Sequence, residues 1–159
     1  MNSELYHIVI NGCEGVQVQG VKISAPGNSP NTDGIHVQMS TDVTITAPHQ
    51  DYMIVSRPPY GTTNLWIERV TCGPGHGIRI KTWGKPSDGF VKGVVFEHAL
   101  MQNVQNPIII DQNYCPNNRG CPNHSSGVKI SGVTYNDIRG SSATQVAVNF
   151  DCSPSNPWN

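Results

Sequence analysis

The sequence predicts an all-β protein built as a solenoid of the parallel β-helix kind, and three observations carry that prediction. Short segments rich in Val, Ile and Thr alternate apolar and polar residues along most of the chain, which is the period of a strand with one buried face. Gly, Asn and Pro punctuate these segments, and none of them shows a helical period. Similar phrases then return at about 22 to 34 residues, a spacing that fits one winding per repeat with loops of variable length. A β-sandwich is the alternative architecture for the same strands.

The segments follow in order. Tyr6 to Ile10 (YHIVI) is strand-like from the start, and VQVQGVKI from Val16 places Val16 and Val18 on one face. GIHV from Gly34 and DVTIT from Asp42 come next, then NLWIERVTC from Asn64 with Leu65 and Ile67 alternating, and GIRIK from Gly77 with Ile78 and Ile80. GVVFEHALMQNV from Gly93, PIIID from Pro107, GVKISGVTY from Gly127 and VAVNFDC from Val146 complete the set. The phrases GVQVQGVKI, TDVTIT, TNLWIERV, GVVFEHAL and GVKISGVTY are the repeating unit. Residues 1–159 are expected to form one partial domain. In a solenoid each winding covers the next, so the first and last need caps. Because the chain opens in strand-like sequence, it is expected to be the later part of a longer, N-terminally truncated solenoid.

Composition narrows the function. Charged residues are 13% and the net charge is −1, so neither a nucleic-acid surface nor a polybasic membrane surface is indicated, while a neutral or anionic glycan is compatible. No apolar run approaches the ~20 residues needed to span a bilayer, and residues 1–11 lack the basic start and apolar stretch of a secretory signal. Cys115 and Cys121 bracket CPNNRGC, a short Pro/Asn/Gly loop of the kind that a disulfide closes in an oxidised compartment. No second Cys or His pair stands at zinc-ligand spacing. Asn123-His124-Ser125 is a glycosylation sequon beside the same loop. These features point to a secreted lineage; with the Asp and His residues scattered among separate segments no metal or organic cofactor is expected, and the expected state is a monomer.

Four phrases carry the chemistry: SPNTDGIHV (residues 29–37), CGPGHGI (72–78), RIKTWG (79–84) and NPIIIDQNYCP (106–116). In this order they resemble the motifs of plant polygalacturonases, the pectin-cleaving glycosidases of glycoside hydrolase family 28. The likeness extends from NSELYHIVINGCEGVQVQGVKI to SATQVAVNFDC. It implies a right-handed parallel β-helix, pectic α-1,4-galacturonan as partner and a cell-wall location. It also implies hydrolysis with inversion, in which one carboxylic acid protonates the leaving oxygen and carboxylates opposite activate water.

The resemblance implies roles residue by residue. Asp33 is a water-activating carboxylate, although Asn-Thr-Asp-Gly alone is equally a turn. His76 is the active-site histidine, with Gly75 and Gly77 leaving room for a sugar. Arg79 and Lys81, two apart on a strand and so on one face, clamp a galacturonate carboxylate, a task suited to a guanidinium beside an ammonium. Standing alone, RIK reads as two solvated cations. Tyr114 contacts substrate, and without the resemblance it is a packing residue beside the disulfide loop.

Two departures from the family pattern stand out. Where the family has TGDDCISI, this chain has PHQDYMIV. With the second Asp laid on Asp51, the general acid falls on Gln50, which has no proton to give, and general acid catalysis is typically worth about 10²- to 10⁴-fold. Codons for Asp-Asp-Cys-Ile-Ser read one nucleotide late give Met-Ile-Val-Ser-Arg, the sequence of Met53 to Arg57, so a shifted frame also accounts for the segment. Cys72, which the resemblance pairs with the motif's Cys, then faces Tyr52 in its place, and Cys13 and Cys152 have no assigned partners. The second departure is GHGIRIKTW, which joins two family phrases normally separated by about one winding and so places His76, Arg79 and Lys81 on one hybrid rung. Loss of the proton donor and of a winding makes a non-catalytic, pectin-binding remnant the alternative to a hydrolase.

Overall fold

A computed structural model describes residues 6–23, 34–46, 52–56, 61–115, 119 and 126–156, with residues 52–56 given as backbone. Among them are eleven strands: β1 (Ile8–Asn11), β2 (Gln17–Gln19), β3 (Ile35–Gln38), β4 (Thr41–Thr46), β5 (Tyr52–Ser56), β6 (Gly61–Glu68), β7 (Thr71–Cys72), β8 (Gly75–Trp83), β9 (Gly89–Tyr114), β10 (Val128–Ser142) and β11 (Val148–Asp151). Every ladder between them is parallel. A sandwich of hairpin-linked strands would be antiparallel, so the alternative architecture is excluded.

The strands stack in columns. β1, β3, β5, β8, the end of β9 and β11 form one column; β2, β4, β6, the start of β9 and β10 form a second; β7 pairs with the middle of β9, which also faces β10, in a short third. β9 takes part in all three, so one strand of 26 residues makes a full winding. The sequence phrases GVVFEHALMQNV and PIIID are therefore one strand rather than two. Non-glycine residues in the left-handed region at His98, Asn103 and Asn106 turn its corners while the ladder continues. This is a parallel β-helix.

Alternation places the core. Along the first column Ile8, Ile35, Tyr52, Ile78 and Ile108 lie in one in-register row, and Ile10, Val37, Ile54, Ile80 and Ile110 in the next. In the second column Val18, Ile45, Ile67, Phe96 and Tyr135 form a row. Phe96 and Tyr135 stack with ring centroids 5.2 Å apart, and Tyr135 stacks on Phe150 at 6.2 Å. Each fully buried Ile or Phe contributes about 1.5–3 kcal/mol relative to exposure, and in-register repetition collects that gain at every winding.

Two corners explain the sequence punctuation. Gly15, Asp42, Asn64, Gly93 and Gly132 occupy equivalent positions, all with φ between 54° and 69°. Gly, Asn and Asp are the residues that adopt this region most readily. The Asn64 side-chain amide also donates to Asp42 Oδ1 at 2.9 Å, so the corner is bonded from winding to winding. The next corner stacks Arg69, His98 and Asp137. There His98 Nδ1 lies 2.8 Å from Asp137 Oδ2, and Arg139 Nε donates to Asp137 Oδ1.

Winding length departs from the expected range at two points: Ile35 and its partner Tyr52 are only 17 residues apart, and the winding from β9 to β10 is long. Thr41 and Thr63, hydrogen-bonded through their hydroxyls, are 22 residues apart and Cys13 and Ser40 are 27 apart, but Asn136 and Glu97 are 39 apart. The long winding contains the CPNNRGC stretch between β9 and β10, inserted where no ladder is interrupted. Cys115 is disulfide-bonded; its expected partner Cys121 and the sequon residue Asn123 lie outside the described residues. Cys13, Cys72 and Cys152 are thiols. Among the described residues no helix is long and apolar enough to cross a membrane.

Ile110 is 0% exposed and in register with Ile80 and Phe150. Ile110→Ala is expected to lower unfolding free energy by about 2–5 kcal/mol, read from the midpoint and slope of a urea transition. At the charged corner the His98 hydrogen bond, followed by that of Arg139, holds the Asp137 carboxyl below its ordinary range. A depressed folded value means that the pair stabilises the fold above the ordinary carboxylate pKa and loses that contribution as pH falls through the depressed value. In His98→Ala the Asp137 carboxyl carbon, followed by NMR, is expected to titrate closer to the ordinary range.

Candidate functional site

The outer face of the first column carries the polar groups. On β8, Ile78 and Ile80 point inward with 0% exposure, which sends Arg79 and Lys81 outward on one face, as their spacing predicts. Arg79 is nonetheless only 7% exposed. In the ladder it stands between Met53 on β5 and Ile109 on β9, with His36 one strand further, so the outer row runs His36, Met53, Arg79, Ile109, Asn149. His36 is also buried; Tyr6 packs edge-on against its ring at 4.6 Å and Gln38 Oε1 lies 3.3 Å from its Nε2. A guanidinium cannot lose its charge, so burial at this position keeps a fixed cation in the outer wall.

Lys81, in register with Val55 on β5, stands in a second outer row. Its in-register neighbour on β9 is Asp111, and that of Asp111 on β11 is Asp151. Asn113 ties these carboxylates together: its backbone N–H donates to Asp111 Oδ1 at 3.0 Å and its side-chain amide donates to Asp151 Oδ1 at 2.8 Å. The ladder between β8 and β9 shifts between Lys81 and Trp83, where β9 holds one extra residue. Such bulges re-aim side chains, and past this one the Tyr114 ring lies 4.5 Å from Lys81 Nζ. Lys85 Nζ sits in the same relation to Trp83, at 3.9 Å.

His76 is half-buried and pairs with Gln105. A second shift, between His76 and Ile78, breaks the alternation, so counting back from Arg79 does not fix the face of its ring. The flanking glycines serve the backbone. A Cβ on Gly77 would collide with the Pro107 carbonyl oxygen of the next winding, and Gly75 has φ 137°. The room that the sequence suggested for a sugar at Gly77 is filled by β9.

The structure thus puts His76, Arg79 and Lys81 on one strand and Tyr114 one winding on, against Lys81. Asp33 and Asp51 lie outside the described residues. Asp111, Asn113 and Asp151 join the row without having been singled out from the sequence. The signal lay in NPIIIDQNY and NFD: an acid one residue beyond an apolar run, at the step where alternation turns outward. Among the described residues no three His, Cys, Asp or Glu side chains converge to hold a metal ion.

Fold and outer rows define the class: a parallel β-helix with a cationic pair, an aromatic and carboxylates on consecutive windings of one strand column. The profile of Glycosyl hydrolases family 28 matches residues 1–78 and 77–159, and the chain belongs to that family. The two matched pieces meet at residues 77–78, where GHG runs directly into IRIKTW. A polygalacturonase of Prunus persica is 53% identical over 192 aligned positions, covering 99% of this chain and 48% of the relative. An exopolygalacturonase of Platanus acerifolia is 36% identical, covering 99% of this chain and 50% of its own length. The chain spans about half the length of the curated relatives it matches. A solved polygalacturonase from Erwinia carotovora ssp. carotovora shares the fold, with a TM-score of 0.56 and 20% identity over 98% of this chain and 52% of its own.

The contact of Lys81 with Tyr114 is open to measurement. A double-mutant cycle of Lys81→Met and Tyr114→Leu is expected to give a coupling of about 0.5–1 kcal/mol in urea unfolding, the range for a cation over an aromatic face near the surface.

Proposed function

We propose that the chain engages pectic galacturonan as part of a polygalacturonase-type hydrolase of the cell wall. The observation that supports this most directly is the pair Arg79 and Lys81, which leave β8 on the same face, one deeply set and one half-exposed. A galacturonate carboxylate accepts hydrogen bonds from both, and the buried guanidinium gives the geometry while the ammonium adds a second donor. Tyr114 forms the wall of the adjoining subsite and holds Lys81 in place. His76, three residues before Arg79, supports the reacting centre. Asp33, with Asp51, activates the water that attacks from the face opposite the leaving group, giving inversion.

Gln50-Asp51-Tyr52, standing where relatives of the pattern have Asp-Asp-Cys, favours a second reading, galacturonan binding without hydrolysis. A carboxamide cannot protonate the departing oxygen. The direct joining of GHG to IRIKTW favours it too, because subsites built on successive windings move by about 4.8 Å for each winding removed, and a misplacement of about 1 Å can cost 10²-fold.

Polygalacturonate binding is expected to be saturable and to weaken at least tenfold in Arg79→Ala, measured by calorimetry. Release of reducing ends with inverted anomers, followed by NMR, establishes hydrolysis. Binding that depends on Arg79 without such release establishes the binding reading, and binding indifferent to Arg79→Ala overturns the clamp.

A further inference from the structure

The apolar rows of the core run out uncovered at both faces of the stack. Among the described residues β10 and β11 pair only with β9, β1 only with β3 and β2 only with β4, so each of these four strands has a ladder on one edge alone. At the β11 end Val148 continues the row of Ile108 and Phe150 that of Ile110. They are nonetheless 49% and 45% exposed, against 8% and 0% for the residues they cover. A cavity of about 180 Å³ opens on the same winding, its apolar wall formed by Met101, Ile108, Ile138, Ala147 and Val148. At the opposite end Ile8, Val16 and Val18 begin the inward rows and are only partly buried.

The two end windings match position by position. Extending each ladder by one step brings Ile8 onto Val148 and Ile10 onto Phe150, and in the second column Val18 onto Tyr135. Val21 and Ile23 follow Val18 as Val70 and Cys72 follow Ile67, and Cys72 is in register with Met101 of the cavity wall. Val21 and Ile23 therefore reach the corner where the cavity lies. The outward neighbours are compatible too. Asn11 meets Asp151, Gln17 meets Thr134 and Gln19 meets Asn136, so no like charges oppose each other in these rows.

We propose that copies of this chain stack end to end, the first winding of one lying on the last winding of another and continuing its parallel ladders. A second copy is the occupant because its β1 and β2 supply both things the β10 and β11 face lacks, a parallel backbone edge and inward apolar side chains in the same rows. Strand edges with a hydrophobic face beside them are templates for such pairing. The contact is heterologous and its operator runs along the solenoid axis, so it does not close into a ring and assembly is open-ended. The monomer expected from the sequence is then the dilute form.

Sedimentation velocity over a concentration series is expected to show the mass of the full chain rising with no fixed end point. Val148→Lys and Ile8→Lys each place a charge at one end, and each alone is expected to stay monomeric. Mixed one to one they are expected to form dimers and stop there, since only one intact joint is available. Leu100→Lys, exposed on the outer face of β9 between β7 and β10, is expected to associate as wild type does. A second trap keeps the end positions small and apolar. Ile8→Cys and Val148→Cys chains, mixed in mild oxidant, place the two thiols on in-register strands about 4.8 Å apart, within disulfide reach. Mass spectrometry is expected to find the peptide joining the two introduced thiols. A wild-type chain that is monomeric at every concentration overturns the proposal, as does an Ile8→Lys chain that still dimerises, which marks contact between like ends. Folded thiol variants, checked by circular dichroism, that yield no such peptide overturn it as well.

Discussion

A strand in a parallel stack satisfies its backbone on both edges only where another winding lies above and below it, and its inward side chains are dry only where that winding repeats them. Every other feature of this molecule answers to that requirement. The row Val18, Ile45, Ile67, Phe96 is a near-repeat because each residue is the floor for one neighbour and the roof for the other. Insertions go where no ladder is cut: the winding of 39 residues carries its surplus between β9 and β10. Removal of a whole winding leaves the stacking intact, so β8 can run from GHG into IRIKTW and still pair with β5 on one side and β9 on the other.

Around Gln112 the interior is polar and hydrogen-bonded instead. Gln112 is buried, donates to the carbonyls of Val128 at 3.0 Å and Asn156 at 3.1 Å, and accepts from the Ser153 amide at 2.9 Å. The Ser153 hydroxyl lies between the Ser126 amide and carbonyl, and Asn156 donates to the same carbonyl at 3.0 Å. A buried polar network of this kind adds rigidity only when complete, since one orphaned group at such a depth costs about 1–3 kcal/mol. Its position fixes the segment after β11 against the winding that bears Tyr114 and Asp111. The outer carboxylate row therefore stands on a tied-down edge.

The stacking rule also decides what was legible in the sequence. Strand type and the inward rows were plain, because alternation of Val43 with Ile45 or Ile78 with Ile80 reports one buried face without reference to the partner strand. Corners were visible as Gly, Asn and Asp, although their equivalence was not, since Gly15, Asp42, Asn64, Gly93 and Gly132 are aligned by the ladders and not by equal spacing. The continuity of β9 was hidden for a related reason: His98, Asn103 and Asn106 look like breaks in a sequence and act as bends in a ladder. Of the site, Arg79 and Lys81 were readable as same-face cations. The placing of Tyr114 against Lys81 was not, because it depends on the extra residue of β9 opposite the step from Lys81 to Trp83. Asp111 and Asp151 went unmarked because they are 40 residues apart and meet only through the register of the last winding.

Fold and chemistry are separable in this architecture, and residues 52–56 show how. Whatever the origin of MIVS, it is a run rich in β-branched and apolar residues, and the ladder accepts it: Tyr52 pairs with Ile35 and Ile78, Met53 with His36 and Arg79, Ile54 with Val37 and Ile80. A strand needs only compatible backbone and inward side chains to hold its place, whereas hydrolysis needs particular groups at particular outward positions. Family likeness carried by the inward rows is thus retained by the stacking requirement alone. The chemistry has to be read from the outer rows, winding by winding, where the charges run from Arg79 and Lys81 through Asp111 to Asp151.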